Sequence, residues 1–148
     1  MKMNLKNLRE KGKLKKHKTS RQEIKNLFKV VSRDIKDAKV DVLSDDRRFA
    51  TAYNAALQCA TAVVFCSGYR THGAGHHFTV FEASKIIMGS GFEEVFDYFD
   101  SCRTKRNRTD YDMAGTVSKT EADELTNESE KFSKDVRRWI KNNHPQYF

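Results

Sequence analysis

A single proline stands in the 148 residues, at position 145. Proline stops helices and forces turns, so nearly the whole chain is free to run in long helices. The apolar residues use that freedom. Ile24, Leu27, Phe28, Val31 and Ile35 recur at steps of three and four behind Ser20 and Glu23, a capping-box pair. That spacing predicts a helix over residues 20–38. Ser44, with Asp45 and Asp46 in the first turn, opens a second helix that ends near Gly68. Phe49, Tyr53, Ala56, Leu57, Ala60 and Val64 form its buried stripe, and its many alanines suit close helix–helix approach. It is the expected central helix.

A polar, glycine-containing loop over residues 69–75 comes next. A third helix is predicted over 76–89, carrying Val80, Phe81, Ser84, Ile87 and Met88. A fourth spans about 92–105, with Phe92, Val95, Phe96, Phe99 and Cys102 inward. Residues 106–117 read as irregular. Ser118 and Glu121 form a second capping box, and a last helix over about 119–142 buries Ala122, Leu125, Phe132, Val136, Trp139 and Ile140. No stretch sustains period-two alternation, which argues against any substantial sheet. The expected fold is all-α, an antiparallel bundle of about five helices. Residues 19–143 form the bundle and 144–148 a tail. For residues 1–18, with Leu5 and Leu8 almost the only apolar groups, a short helix and a disordered basic arm both fit.

Composition narrows the partners. Hydrophobic residues make up 38% and charged residues 32%, a modest core under a heavily solvated surface. No unbroken apolar run nears the eighteen or so residues that cross a bilayer, so no membrane partner is expected. Three cysteines, Cys59, Cys66 and Cys102, stand in no close pair and read as reduced thiols in a cytoplasmic protein. The net charge is +8. Residues 1–33 hold twelve Lys/Arg against two Asp/Glu, and the remainder sixteen against eighteen. A basic arm on a near-neutral body points to an anionic partner, RNA or a nucleotide phosphate. The alternative is a solvated extension with no partner.

The densest polar stretch is Arg103-Thr104-Lys105-Arg106-Asn107-Arg108-Thr109-Asp110-Tyr111-Asp112. Arginine forks bind phosphate bidentately, and Asn107 can donate to and accept from a base or a ribose hydroxyl. Arg103, Lys105 and Arg108 are the expected cationic flank. A helix C-terminus decorated with cations, with an Arg–Asp pair fixing a loop, is the plainer reading. His76 and His77 open the third helix behind Gly73 and Gly75, where free amides suit an anion. The plainer reading has one capping the helix and the other packing on Tyr69 or Phe78. No paired cysteines accompany the His72-to-His76 interval, so neither a metal site nor any other cofactor is expected.

Three segments in this order resemble the HEPN domain superfamily: Tyr53-Asn54-Ala55-Ala56-Leu57-Gln58, then Gly75-His76-His77 through Glu82-Ala83, then Arg106-Asn107-Arg108-Thr109-Asp110-Tyr111. The resemblance covers roughly residues 20–142. It implies an all-α bundle that usually pairs into a homodimer. Many members are metal-independent ribonucleases, acting as toxins or as partners of a small nucleotidyltransferase in microbial defence and toxin–antitoxin systems. Their motif is an arginine, often followed by a polar residue, then four to six residues, then a histidine. Arg106 matches the arginine and Asn107 its neighbour. Tyr111 stands at the histidine position. A phenol with a pKa near 10 is a poor base at pH 7 where an imidazole near 6.5 is a good one. Cationic neighbours lowering Tyr111, or Asp110 taking the base role, would restore the chemistry. The tyrosine tilts the expectation toward RNA binding over metal-independent endoribonuclease activity. A non-catalytic structural subunit is the third reading.

Overall fold

The chain is arranged around one helix, α3 (Asp45–Cys66), which packs against every other long helix. In this computed structural model residues 4–73, 75–111 and 114–148 are described, the side chains of residues 108–111 excepted. Ser44 caps α3 by accepting from the Arg47 amide at 3.1 Å, and Asp45 and Asp46 sit where negative charge meets the positive end of the helix dipole. Ala52, Ala55, Ala56, Ala60 and Ala62 are fully buried. Their small side chains let α2 (Arg21–Ala38) and α6 (Lys119–Asn143) close on one side of α3. On the other lie α4 (His76–Met88) and α5 (Glu93–Tyr111). Phe81, Phe96, Phe99 and Phe132, each 1% exposed, meet edge-on, tilted or stacked between α4, α5 and α6.

By length and composition α3 is apolar enough to cross a membrane although polar residues break its apolar run; 67% of that stretch is buried inside the bundle. Alanines, valines, phenylalanines, Leu57 and two cysteines make its hydropathy, and most of them are buried in the bundle. Serines fix neighbouring helices to it. Ser84 of α4 donates to the Ala60 carbonyl at 3.0 Å, and Ser129 of α6 to the Ala52 carbonyl at 2.9 Å. Each hydroxyl satisfies a polar atom inside an otherwise apolar contact.

The all-α expectation stands, with a helix and a small ribbon added. Leu5–Glu10 forms α1, capped reciprocally by Asn4 and Asn7. Leu14–Lys16 (β1) pairs antiparallel with Tyr69–Thr71 (β2), where the sequence reads as arm and loop. Gly12 takes a φ of +72°, a left-handed turn that brings β1 back from α1. Leu8 and Leu14 then pack on Val64 and Ala83 in a small second cluster. Three-residue strands are too short to show alternation, so nothing in the pattern announces them. The second departure is α5, which continues through residue 111 instead of ending near 105. No Gly or Pro interrupts residues 93–111, and the run is rich in residues that tolerate a helix. Further on, Asp46 receives the Gly115 amide at 2.6 Å, tying the connection before α6 to the start of α3. A 3₁₀ turn, Pro145–Tyr147, closes the chain against α2 and α6. Residues 1–3 of the basic arm, Ala74 of the expected loop and Asp112 of the polar stretch lie outside the described residues.

Candidate functional site

Three helices converge at the start of α4. Gly75, at φ +73°, turns the chain into α4 and leaves His76 and His77 in the first turn. His76 is exposed and His77 half-buried, their rings edge-on with centroids 4.5 Å apart. From α3, the buried Tyr53 brings its hydroxyl to 3.3 Å from Nδ1 of His77. From α5, the Arg106 guanidinium lies 5.6 Å from the centre of the Tyr53 ring. One turn earlier, Arg103 lies 5.7 Å from the ring of Phe78, which is 43% exposed, while its Nε donates to Asp100 at 2.8 Å. The result is a cationic strip of Arg103 and Arg106, floored by aromatic rings and flanked by two imidazoles.

The electrostatics follow from burial and from the arginines. Burial, then His76, Arg106 and Arg103, push the His77 imidazole down to about 4. Burial drives the Tyr53 phenol upward, against the pull of Arg106 and Arg103. At pH 7 His77 is therefore neutral and Tyr53 protonated. Where the Tyr53 hydroxyl donates to Nδ1, the imidazole proton sits on Nε2.

This imidazole has a measurable consequence. Unfolded, it titrates near 6.5, so between pH 6.5 and about 4 the unfolded state binds the proton that the native state refuses. Its contribution is therefore complete above 6.5 and is lost as the pH falls through that window. Urea midpoints measured from pH 7 to 4 should fall, and His77→Gln should fall less. Parallel curves for the two proteins would contradict the assignment.

Of the residues the sequence singles out, the structure brings Arg103, Arg106, His76 and His77 to one place. Lys105 turns the other way, to Glu121 at 3.2 Å. Asn107 follows Arg106 on α5, half-buried. Arg108, Asp110 and Tyr111 continue the same helix, and their side chains lie outside the described ones. The plainer reading of the histidine pair is corrected. Gly75 is the N-cap with no side-chain bond, and His77 meets Tyr53 rather than Tyr69 or Phe78. Tyr53 itself reads from sequence as a core residue that also opens the first HEPN-like segment. Its apolar ring occupies a helical stripe, and nothing local reveals where its hydroxyl points.

Asn54, in the same motif, is structural: it donates to Asp34 of α2 at 2.6 Å. The thiols of Cys59, Cys66 and Cys102 are buried and pushed up to about 12, which leaves them protonated and unreactive at pH 7. Among the described residues, no three His, Cys, Asp or Glu side chains gather as a metal ion would need.

The all-α bundle built on one central helix, with the Arg106-Asn107 pair on α5, is the fold that the HEPN resemblance implies. The SAV_6107-like HEPN family matches residues 40–137, and the chain belongs to that family. No curated protein and no solved structure matches it.

Proposed function

We propose that the protein is an RNA-binding HEPN module that grips a phosphodiester on the strip formed by Arg103, Arg106, His76 and His77. The observation that carries this reading is the meeting of Arg106 with Tyr53 and His77 from three separate helices. Guanidinium donors serve the phosphate, and the exposed Phe78 ring offers a face for a base. The family resemblance extends the reading to a cytoplasmic homodimer, with a nucleotidyltransferase as partner in a defence or toxin–antitoxin system.

The test is anisotropy of a labelled single-stranded RNA titrated with protein from 50 to 200 mM salt. Hydrogen bonds to charged groups are worth about 1.5–3 kcal/mol, so Arg106→Ala should weaken binding about tenfold or more. The salt slope should fall by about 0.7, one counterion's share for a single strand. Equal affinity in the variant, or affinity flat with salt, would remove the reading.

A second reading, metal-independent RNA cleavage, is favoured by one feature. His77 stands beside the Arg106–Tyr53 contact, so an imidazole, though a weak base once its pKa is pushed down to about 4, lies near the motif arginine although position 111 is tyrosine. In it, Arg106 stabilises charge on the phosphorus oxygens, Asn107 positions the ribose, and Asp110 or Tyr111 completes the proton transfers. Loss of RNA degradation in chelator by both Arg106→Ala and His77→Gln would select it.

A further inference from the structure

The basic excess of the first 33 residues is not spent on the arm alone. Arg21, Lys25 and Lys29 succeed one another at i, i+4 and i+8 on the exposed side of α2. Such residues stand one above another at steps of about 6 Å. They line a groove of about 600 Å³ between α2, α6 and the C-terminal turn, together with Phe28, Arg137 and Tyr147. Among the described residues, no carboxylate side chain lines this part. The groove continues past Ser32 and Arg137, which line both parts, into a second hollow of about 340 Å³. There Lys36 and Lys134 add charge, and the one acid, Glu130, is already paired with Lys39 at 2.6 Å.

The floor has its own chemistry. The Arg137 guanidinium lies 4.3 Å from the centre of the Phe28 ring and donates from Nη2 to Ser32 at 3.1 Å. An arginine held over an aromatic ring offers a guanidinium on which a base can stack. Tyr147 adds a second, half-buried ring at the groove's edge.

We infer that this α2–α6 groove is a track for single-stranded RNA, with the α2 cations on successive phosphates and Arg137 and Tyr147 beneath the bases. Its length argues for a strand over a mononucleotide. From Arg21 to Lys36 the helix rises about 22 Å, room for about four nucleotides with one phosphate at each step of about 6 Å. Its aromatic floor argues for RNA over an acidic peptide, which needs cations but no stacking plane. The groove lies on the α2–α6 side of α3 and the Arg106 strip on the α4–α5 side, so the inference stands independently of the function proposed above.

The experiment uses the full chain, a labelled ten-nucleotide oligouridylate and a labelled decaglutamate peptide of matching charge. The variants are Lys25→Glu with Lys29→Glu, Arg137→Met, and Arg106→Ala. Because Lys25 and Lys29 are exposed, the double variant should keep its helical circular dichroism. It should bind the RNA at least tenfold more weakly, with a salt slope lower by about 1.4, in the Arg106→Ala background as well as alone. Arg137→Met should weaken RNA binding while leaving peptide binding unchanged. RNA affinity and slope equal to wild type in the double variant would overturn the inference, whatever Arg106→Ala does. So would decaglutamate binding as tightly as the RNA.

Discussion

Phe132→Ala is expected to destabilise the protein by about 3–5 kcal/mol. The ring is 1% exposed and is met by Phe96 at 5.2 Å and Phe99 at 5.1 Å between centroids, both edge-to-face. Deleting it removes the apolar transfer energy of the ring and leaves a void walled by rigid aromatic side chains. Such rings do not collapse inward as aliphatic chains do. It also cuts the aromatic chain that joins α6 to α5 and, through Phe81, to α4. Whole-protein stability is usually about 5–15 kcal/mol, so one substitution takes a large share. Thermal unfolding followed by circular dichroism should show a midpoint lower by about 10 °C or more. Phe132→Leu, which refills most of the volume, should recover about half of the loss. A shift of only two or three degrees for alanine would mean that the aromatic cluster does not hold the bundle.

Arg48→Met should cost about 2–3 kcal/mol, through polar groups rather than volume. Arg48 is 5% exposed, and its guanidinium joins three helix ends. Nε donates to the Ala38 carbonyl at 2.8 Å, at the C-terminus of α2, where carbonyls lack intrahelical partners and a cation suits the dipole. Nη1 reaches Asp45 in the first turn of α3, and Nη2 donates to Asp123 in α6. Breaking a fully buried pair costs about 3–5 kcal/mol. Here the carboxylates are 38% and 40% exposed and fall back on water, which sets the lower figure. The loss should appear as a lower urea midpoint with an unchanged m-value, since the substitution leaves the surface exposed on unfolding nearly the same. An effect below about 0.5 kcal/mol would show that water replaces the whole network.

The helices were legible because their signals are local. The stripe from Ile24 to Ile35 and the caps at Ser20, Ser44 and Ser118 appear where they were read. The Arg103–Arg106 cluster stood out by composition and was misplaced at a helix end, because an end inferred from the last inward-facing residue ignores how well Lys and Arg continue a turn. The β1–β2 ribbon was illegible. Leu14 looks isolated until Val64 and Ala83 are known to lie beneath it. The α2–α6 track was hidden for a similar reason. A basic residue at every fourth position reads as a solvated helix face, and only the packing of α6 and the C-terminal turn makes that face one wall of a groove.

Periodicity and capping, acting over four residues, determined from sequence alone that this chain is a helical bundle with α3 at its centre, and the charge count gave its strongly basic first quarter. Only the tertiary structure decided that Tyr53, His77 and Arg106 share one place and that Lys105 does not. Which side chains meet depends on how three helices rotate and close upon one another. That is settled by the summed packing of the alanines and phenylalanines at their contacts, a nonlocal quantity that no short stretch of sequence carries.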